Sequence, residues 1–308
     1  MQTQCLYDLI VITGPTATGK TRLAAELADL LQGEIISADS RQVYKGMDIG
    51  TGKDLADYLV DGRSVPVHLV DRVDPGYEFN VFEFQSLFLE AYQDIARRNK
   101  QPIMCGGTGL YLEAALAKYR LLEVPQNPFL RARLNELSQD ELEAKLASYR
   151  KLHNTTDTSD RNRLIRAIEI ESYNADHAHL RISYPEFSHI IFAIDFPRDE
   201  IRHRITHRLK TRLENGMIDE IQQLLKTGLK PDQLTFYGLE YKYITQYVIG
   251  EISYDEMFNK LNTAIHQFAK RQMTWFRRME KQGFTIHWIN GKLSNAEKII
   301  YITKKIKQ

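Results

Sequence analysis

An α/β fold is predicted: a P-loop-containing parallel sheet flanked by helices, with a small helical insertion domain. Three observations predict it. Residues 8–21, DLIVITGPTATGKT, form an apolar run that ends in a glycine-bracketed loop, matching GxxxxGK[ST] at Gly14, Gly19, Lys20 and Thr21. Short apolar runs bounded by turns then alternate with helical spacing up to about residue 117, and resume at 189–196 and 284–289. Between them, residues 121–184 carry helical spacing and no strand-like run. The expected division is therefore 1–120 with 185–308 as the core and 121–184 as the insertion.

Composition sets outer bounds. A chain of 308 residues with 43% hydrophobic content can bury a substantial core, and its net charge of +1 argues neither for nor against nucleic acid. No apolar run approaches the roughly 18 residues needed to cross a bilayer, and the N-terminal stretch lacks a basic-then-apolar signal. A soluble, cytoplasmic, monomeric protein with no membrane partner is expected. Cys5 and Cys105 are too few for a disulfide framework or a cysteine zinc site and read as packing residues.

In chain order, Leu9 to Thr13 reads as a buried strand and residues 22–31 as an amphipathic helix with Leu23, Leu27, Leu30 and Leu31 on one side. The loop between them, Gly14, Pro15, Thr16, Ala17, Thr18, Gly19, Lys20 and Thr21, has the chemistry of an anion cradle. Glycines let backbone N–H groups curl round a phosphate, the helix start aims its positive end there, and lysine adds a mobile charge. The Thr21 hydroxyl is placed to hold a magnesium ion. A second short strand, residues 34–38, delivers Asp39, Ser40, Arg41 and Gln42 beyond its carboxyl end, where ligands of open α/β sheets sit. Asp39 then binds metal through water, acts as a general base on a second substrate, or is a turn aspartate.

Residues 65–70 read as a strand, with His68 as a hydrogen-bonded or site-lining residue. Asn80 reads as the cap of a helix running to about residue 99, burying Phe84, Leu87, Phe88 and Ala91. Residues 102–105 form another strand, followed by Gly106-Gly107-Thr108-Gly109, a turn that permits close backbone approach and sets Thr108 on the crevice rim. In the insertion, helices are expected at 129–137, 140–149 and 160–173; 157–160 reads as a loop and cap, and Arg163 and Arg166 share a helix face. Residues 198–212 carry six Lys/Arg against Asp199 and Glu200, a basic helix able to meet phosphates. A short helix at 217–226, a long one at 255–281 and a last strand at 284–289 complete the reading.

Six segments, in order, resemble the tRNA dimethylallyltransferases, also called tRNA isopentenyltransferases. They are GPTATGKT at 14–21, SADSRQVYKGMDIGTGK at 37–53, VDPGYEFNVFEFQ after His68, GGTGLY at 106–111, DRNRLIRAIE at 160–169 and AKRQMTWFRR at 269–278. The resemblance implies that the loop holds the diphosphate of dimethylallyl diphosphate. It implies further that the acceptor is the exocyclic amine of the adenosine 3′ to the anticodon in tRNA. Carried over residue by residue, Asp39 is the general base and Lys20, Thr21 and magnesium meet the diphosphate charge. Arg204 or Arg208 in HRITHR supplies the assisting arginine, with Thr16 lining the reaction centre. Asp39, Ser40, Arg41, Gln42 and Thr108 meet the flipped nucleotide, and Asn162, Arg163 and Arg166 meet the anticodon stem-loop.

The chain departs from the family pattern at Val67-His68-Leu69, where many relatives have His-His-Leu, and at Ile265-His266, which replaces Thr-Arg. It departs again at Gly238-Leu239-Glu240-Tyr241, where G-Y-K-E is usual. Three other readings compete: a prenyltransferase acting on free adenine nucleotides, an RNA-binding paralogue without activity, and a nucleotide-dependent kinase suggested by the loop alone.

Overall fold

The computed structural model describes residues 5–117, 121–150, 152, 160–177 and 184–308. Its strands are β1 Leu9–Thr13, β2 Glu34–Ser37, β3 Leu59–Val60, β4 Arg63–Ser64, β5 Val67–His68, β6 Pro102–Cys105, β7 His189–Asp195 and β8 Ile286–Asn290. Six of them form one sheet in the order β5-β2-β6-β1-β7-β8, every neighbouring pair parallel. Strands that follow β1 directly in the chain lie on one side of it and the last two on the other. The loop leaving β1 thus opens at the point where strand order reverses, the place where such sheets bind ligands.

The five residues of β1, LIVIT, are all buried because both faces of the sheet are covered. Leu9 and Val11 face a layer containing Ile36, Met104 and Ile191, closed by Phe84 and Phe88 of helix α2 (Val81–Arg97), Leu112 of α3 (Gly109–Leu116) and Phe276 of the long helix Tyr254–Lys281. Ile10 and Ile12 face the opposite layer, with Ile35, Ile103 and Phe192, closed by Leu23 and Leu27 of α1 (Lys20–Leu31) and Ile302 of the helix Asn295–Lys305. Alternation along one strand therefore feeds two cores.

Asn80 caps α2 as its sequence position predicts: its side-chain oxygen accepts from Phe82 N at 3.0 Å and Glu83 N at 3.1 Å, while Glu83 reaches back to Asn80 N at 3.0 Å. Two local expectations are corrected. Leu30 is 53% exposed, because the buried face of α1 centres on Ala24, Leu27 and Ala28, whose two alanines let the helix lie close to the sheet. The strand expected at 65–70 shrinks to Val67–His68, because Leu69 (φ 65°) and Asp71 (φ 52°) take left-handed backbone that no strand continues through. Sequence spacing also missed the helices Pro231–Thr235, Leu239–Val248 and Asn295–Lys305.

Contacts divide the chain into two compact units, Met1–Tyr119 with Glu186–Gln308, and Arg120–Pro185. The second unit packs the helices Pro128–Asn135, Gln139–Tyr149 and Arg161–Asp176 about Leu134, Leu142, Leu146, Leu164, Ile165 and Ile168. Its polar centre is Glu169, 1% exposed, which accepts from Asn127 N at 2.5 Å, from Arg131 at 3.1 and 2.9 Å, and from Arg166. Burial pushes this carboxyl up, and the two arginines with the Asn127 amide outweigh it and hold it below the usual range. Of the loop-and-cap segment expected at 157–160, residues 157–159 lie outside the described residues; Asp160 does cap the next helix, accepting from Arg163 N at 3.1 Å.

Glu34 opens β2 with its side chain 7% exposed, bonded by Arg98 Nη2 at 2.8 Å and His68 Nε2 at 2.8 Å. His68 is thus a hydrogen-bonded partner, one of the two roles its strand position suggests. The Arg98 hydrogen bonds, opposed by burial and aided by His68, hold the Glu34 carboxyl down to about 2 from 4.5. A depressed carboxyl contributes stability above its unfolded pKa and loses it as pH falls through the folded one. We expect Glu34→Gln to unfold at lower denaturant than wild type at pH 7, with the gap narrowing below pH 4.5 and nearly closed towards pH 2. Denaturant titrations at pH 7 and pH 3 check this; an equal gap at both would remove ionisation as its source.

Candidate active site

Three loops leave the carboxyl ends of β1, β2 and β6 and meet. Thr13 Oγ1 donates to Gly106 O at 2.7 Å, Ala38 N to Cys105 O at 2.8 Å, and Ser40 N to Thr108 Oγ1 at 3.3 Å. The meeting is close enough to exclude side chains. A Cβ at Gly106 would lie 2.3 Å from Ala38 O, and one at Gly14, whose φ is 144°, would lie 2.8 Å from Ile194 O of β7. Both contacts are to backbone, which cannot swing away, so glycine is required.

Within the first loop Ala17 also takes left-handed backbone (φ 63°), and buried Thr18 closes the turn by donating to Pro15 O at 2.9 Å. Helix α1 starts at Lys20 behind Gly19, with no side chain capping its first turn, so its orphan N–H groups and positive end are directed at the loop's concavity. Lys20 Nζ folds back to Pro15 O at 3.4 Å. Burial lowers its pKa, and Arg208 and Arg212 lower it further, against the opposing field of Asp39. Asp39 and Lys20 therefore lie within electrostatic reach of each other. Asp39 Oδ1 also accepts from Arg41 N at 2.9 Å, which fixes the turn that aims it.

The basic helix Arg198–Glu214 presents Arg204, Arg208 and Arg212 four residues apart on one face against this loop. The two predicted arginines differ in use. Arg204 donates to Ala17 O at 2.9 Å and stacks on Phe196 at 4.5 Å, bracing the loop from outside. Arg208 reaches Thr16 Oγ1 at 3.4 Å and Asp54 at 2.7 Å, and lines a pocket with Thr16, Ala17, Arg212 and Glu240. Arg212 and Asp54, 3.2 Å apart, were not singled out from sequence, and neither was Gln272.

Gln272 ties the site together. It projects from the long helix, 7% exposed, accepts from Thr16 N at 2.9 Å and donates to Gly107 O at 2.8 Å, bridging the first and third loops. Glu220 does similar work further out, accepting from Asp48 N (2.8 Å), Ile49 N (2.7 Å), Gly50 N (3.0 Å) and Tyr241 Oη (2.6 Å). The only sequence sign of either was its place in a motif or on a helix.

On the expected nucleotide side the residues divide. Arg41 lies over the Phe236 ring at 5.3 Å, and Ser40 and Thr108 are joined as above. Gln42 is buried, and its amide is engaged inside the protein, accepting from Ser37 Oγ at 3.1 Å and donating to Gly52 O at 3.1 Å; it braces the loop from within. In the second unit Asn162 and Arg163 are exposed. Arg166 is committed to Glu169 and to Val124 O at 2.7 Å, so the two arginines that share a helix face do not share a role.

Thr21, in the first turn of α1, offers a hydroxyl oxygen of the kind a magnesium ion takes. No group of three metal-binding side chains occurs among the described residues, and magnesium with a phosphate ligand needs only one or two protein oxygens. Burial pushes the Cys105 thiol up to about 12, so it stays protonated. We expect Gln272→Leu, which strands Thr16 N and Gly107 O, to destabilise the protein by about 1–3 kcal/mol. It should also weaken binding of inorganic pyrophosphate by about tenfold. Thermal melts and calorimetry check both, and unchanged pyrophosphate affinity would refute the tie.

A family model described as IPP transferase matches residues 42–279. The chain is 56% identical to the tRNA dimethylallyltransferase 2 of Bacteroides fragilis over 98% of its own length and 99% of that protein's. It is also 56% identical to the tRNA dimethylallyltransferase 1 of Parabacteroides distasonis, over 95% of each. The crystal structure of the tRNA isopentenylpyrophosphate transferase from Bacillus halodurans superposes with a TM-score of 0.71 at 31% identity, covering 97% of this chain and 95% of that one. Agreement of motif order, fold and near-complete coverage places the chain in the IPP transferase family, among the tRNA dimethylallyltransferases.

Proposed function

We propose that the chain transfers the dimethylallyl group of dimethylallyl diphosphate to the exocyclic amine of the adenosine 3′ to the anticodon in tRNA, releasing diphosphate. The observation that carries this reading is the placing of Asp39 just beyond β2, after Ala38, which packs on Gly106 while Lys20 of the anion-cradling loop packs on the adjoining Gly107. A carboxylate beside an anion site is a liability unless it acts on something else.

In the reaction the amine nitrogen forms a bond to the terminal prenyl carbon as the carbon–oxygen bond to diphosphate breaks, the electron pair leaving on the diphosphate oxygen. The amine's lone pair is delocalised into the ring, so Asp39 takes its proton as the bond forms. Lys20, the N–H groups at the start of α1 and Arg208 face the growing charge on the leaving group. The lowered proton affinity of Lys20 fits this, since a bound diphosphate supplies the counter-charge that the free site lacks. A magnesium ion held by Thr21 would neutralise part of the diphosphate charge. Ser40, Arg41 and Thr108 surround the extruded adenosine, and exposed Asn162 and Arg163 contact the stem-loop, with Gln42 acting from behind. A single copy of the chain contains all these groups.

Incubation with magnesium, dimethylallyl diphosphate and unmodified tRNA should give RNA heavier by one five-carbon unit at that adenosine. Asp39→Ala should lower the rate by about 10²–10⁴-fold with its melting temperature little changed. A fully active Asp39→Ala enzyme would remove the base assignment. Turnover of AMP with inert tRNA would replace the acceptor.

A further inference from the structure

Arg208 and Arg212 stand one turn apart on the same helix face, and their charges repel. Arg208 lowers the proton affinity of Arg212, second only to burial. Such a pair requires an anion. Asp54 provides it: its Oδ2 lies 2.7 Å from Arg208 Nη2 and 3.2 Å from Arg212 Nη2. Burial pushes the Asp54 carboxyl up, and Arg212 and Arg208 outweigh it and keep it low, so it is ionised at neutral pH.

The backbone that carries Asp54 is held fast, while its side chain is half exposed. The preceding Lys53 has its side chain fully buried, donating to Tyr44 O at 2.8 Å, to Asp48 at 2.6 Å and to Asp71. Gly52 packs directly on Arg212: a Cβ there would lie 2.5 Å from its Nη2. Asp54 itself is 46% exposed, whereas Arg212 is 13% exposed. The other nitrogen of Arg208, Nη1, is already 3.4 Å from Thr16 Oγ1 in the phosphate loop. The carboxylate therefore occupies, from the solvent side, cations that border the diphosphate site. Glu240, on the wall of the same pocket, is pushed up by burial and so is a poorer counter-ion for them.

We propose that Asp54 is a positioning residue that holds Arg208 and Arg212 together ahead of substrate, and that diphosphate displaces it from them. By competing for the same cations, its carboxylate weakens the grip on diphosphate and speeds product release. This rests on the loop being a diphosphate site.

Calorimetric titration with inorganic pyrophosphate and magnesium tests it. Asp54→Asn should bind pyrophosphate about three- to tenfold more tightly than wild type, and Asp54→Glu should restore the wild-type affinity. In steady state Asp54→Asn should lower both kcat and the KM for dimethylallyl diphosphate. In an Arg212→Gln background the tightening should fall below about twofold. Affinity that is unchanged or weaker in Asp54→Asn, or tightening undiminished by Arg212→Gln, would overturn the proposal and leave the site intact. A wild-type protein that does not bind pyrophosphate at all would overturn the site and the proposal together.

Discussion

Desolvated positive charge at the mouth of β1 is the constraint that the rest of the structure answers. Lys20 and Arg212 are gathered beside Arg208, where burial and the neighbouring positive charge both disfavour their charged forms. A protein optimised only for stability would disperse them or pair each one fully. Here they are only partly compensated: Lys20 reaches a carbonyl, Arg208 a hydroxyl and one oxygen of a carboxylate, and Arg212 both oxygens of that same carboxylate. In the proposed reaction a bound diphosphate makes good this shortfall of negative charge, the binding energy being held in the free site as incomplete pairing.

Holding such a site requires backbone that does not relax away from it. The closeness of the loops after β1, β2 and β6 provides this, since the contacts at Gly14 and Gly106 are between main chains and leave no side chain to yield. Gln272 then turns proximity into fixed geometry by spending both ends of one amide on two loops. Glu220 and Lys53 repeat the device in the outer loop, a carboxylate gathering three consecutive N–H groups and an ammonium gathering three oxygens. Gln272 and Lys53 are buried and Glu220 is half-buried, and polar groups bonded to several partners in this way rigidify a loop without regular structure.

This pattern explains what could be read from the sequence. The phosphate loop, the buried strands and the Asn80 cap depend on neighbours within a few residues, and their signals survive in local order. Gln272 acts on residues 256 and 165 positions away, and Asp54 meets Arg208 across 154; no periodicity carries such information. Leu30 and Leu69 misled for a related reason. Helical spacing at Leu30 said which side was apolar but not where the sheet would lie, and an apolar run at 65–70 concealed one left-handed residue, Leu69, with a second, Asp71, just beyond it. Arg163 and Arg166 share a face by count, yet one is exposed and the other is consumed by Glu169.

The residues assigned to the two substrates differ in how firmly they are held, and the difference has a physical rationale. Of those assigned to the diphosphate, Thr16 and Arg208 are fixed by long-range hydrogen bonds, and leaving-group stabilisation depends on dipoles that are already oriented when charge develops. Several assigned to the nucleotide and stem-loop are held by weaker means: Arg41 by a ring face, Arg163 by a 3.8 Å contact on a side chain 67% exposed. A large RNA must enter, present one base and depart, so each of its contacts must be easily broken. Where the two requirements meet, at Asp39, one turn satisfies both: a single backbone N–H fixes Oδ1, and the carboxylate remains near enough to feel Lys20.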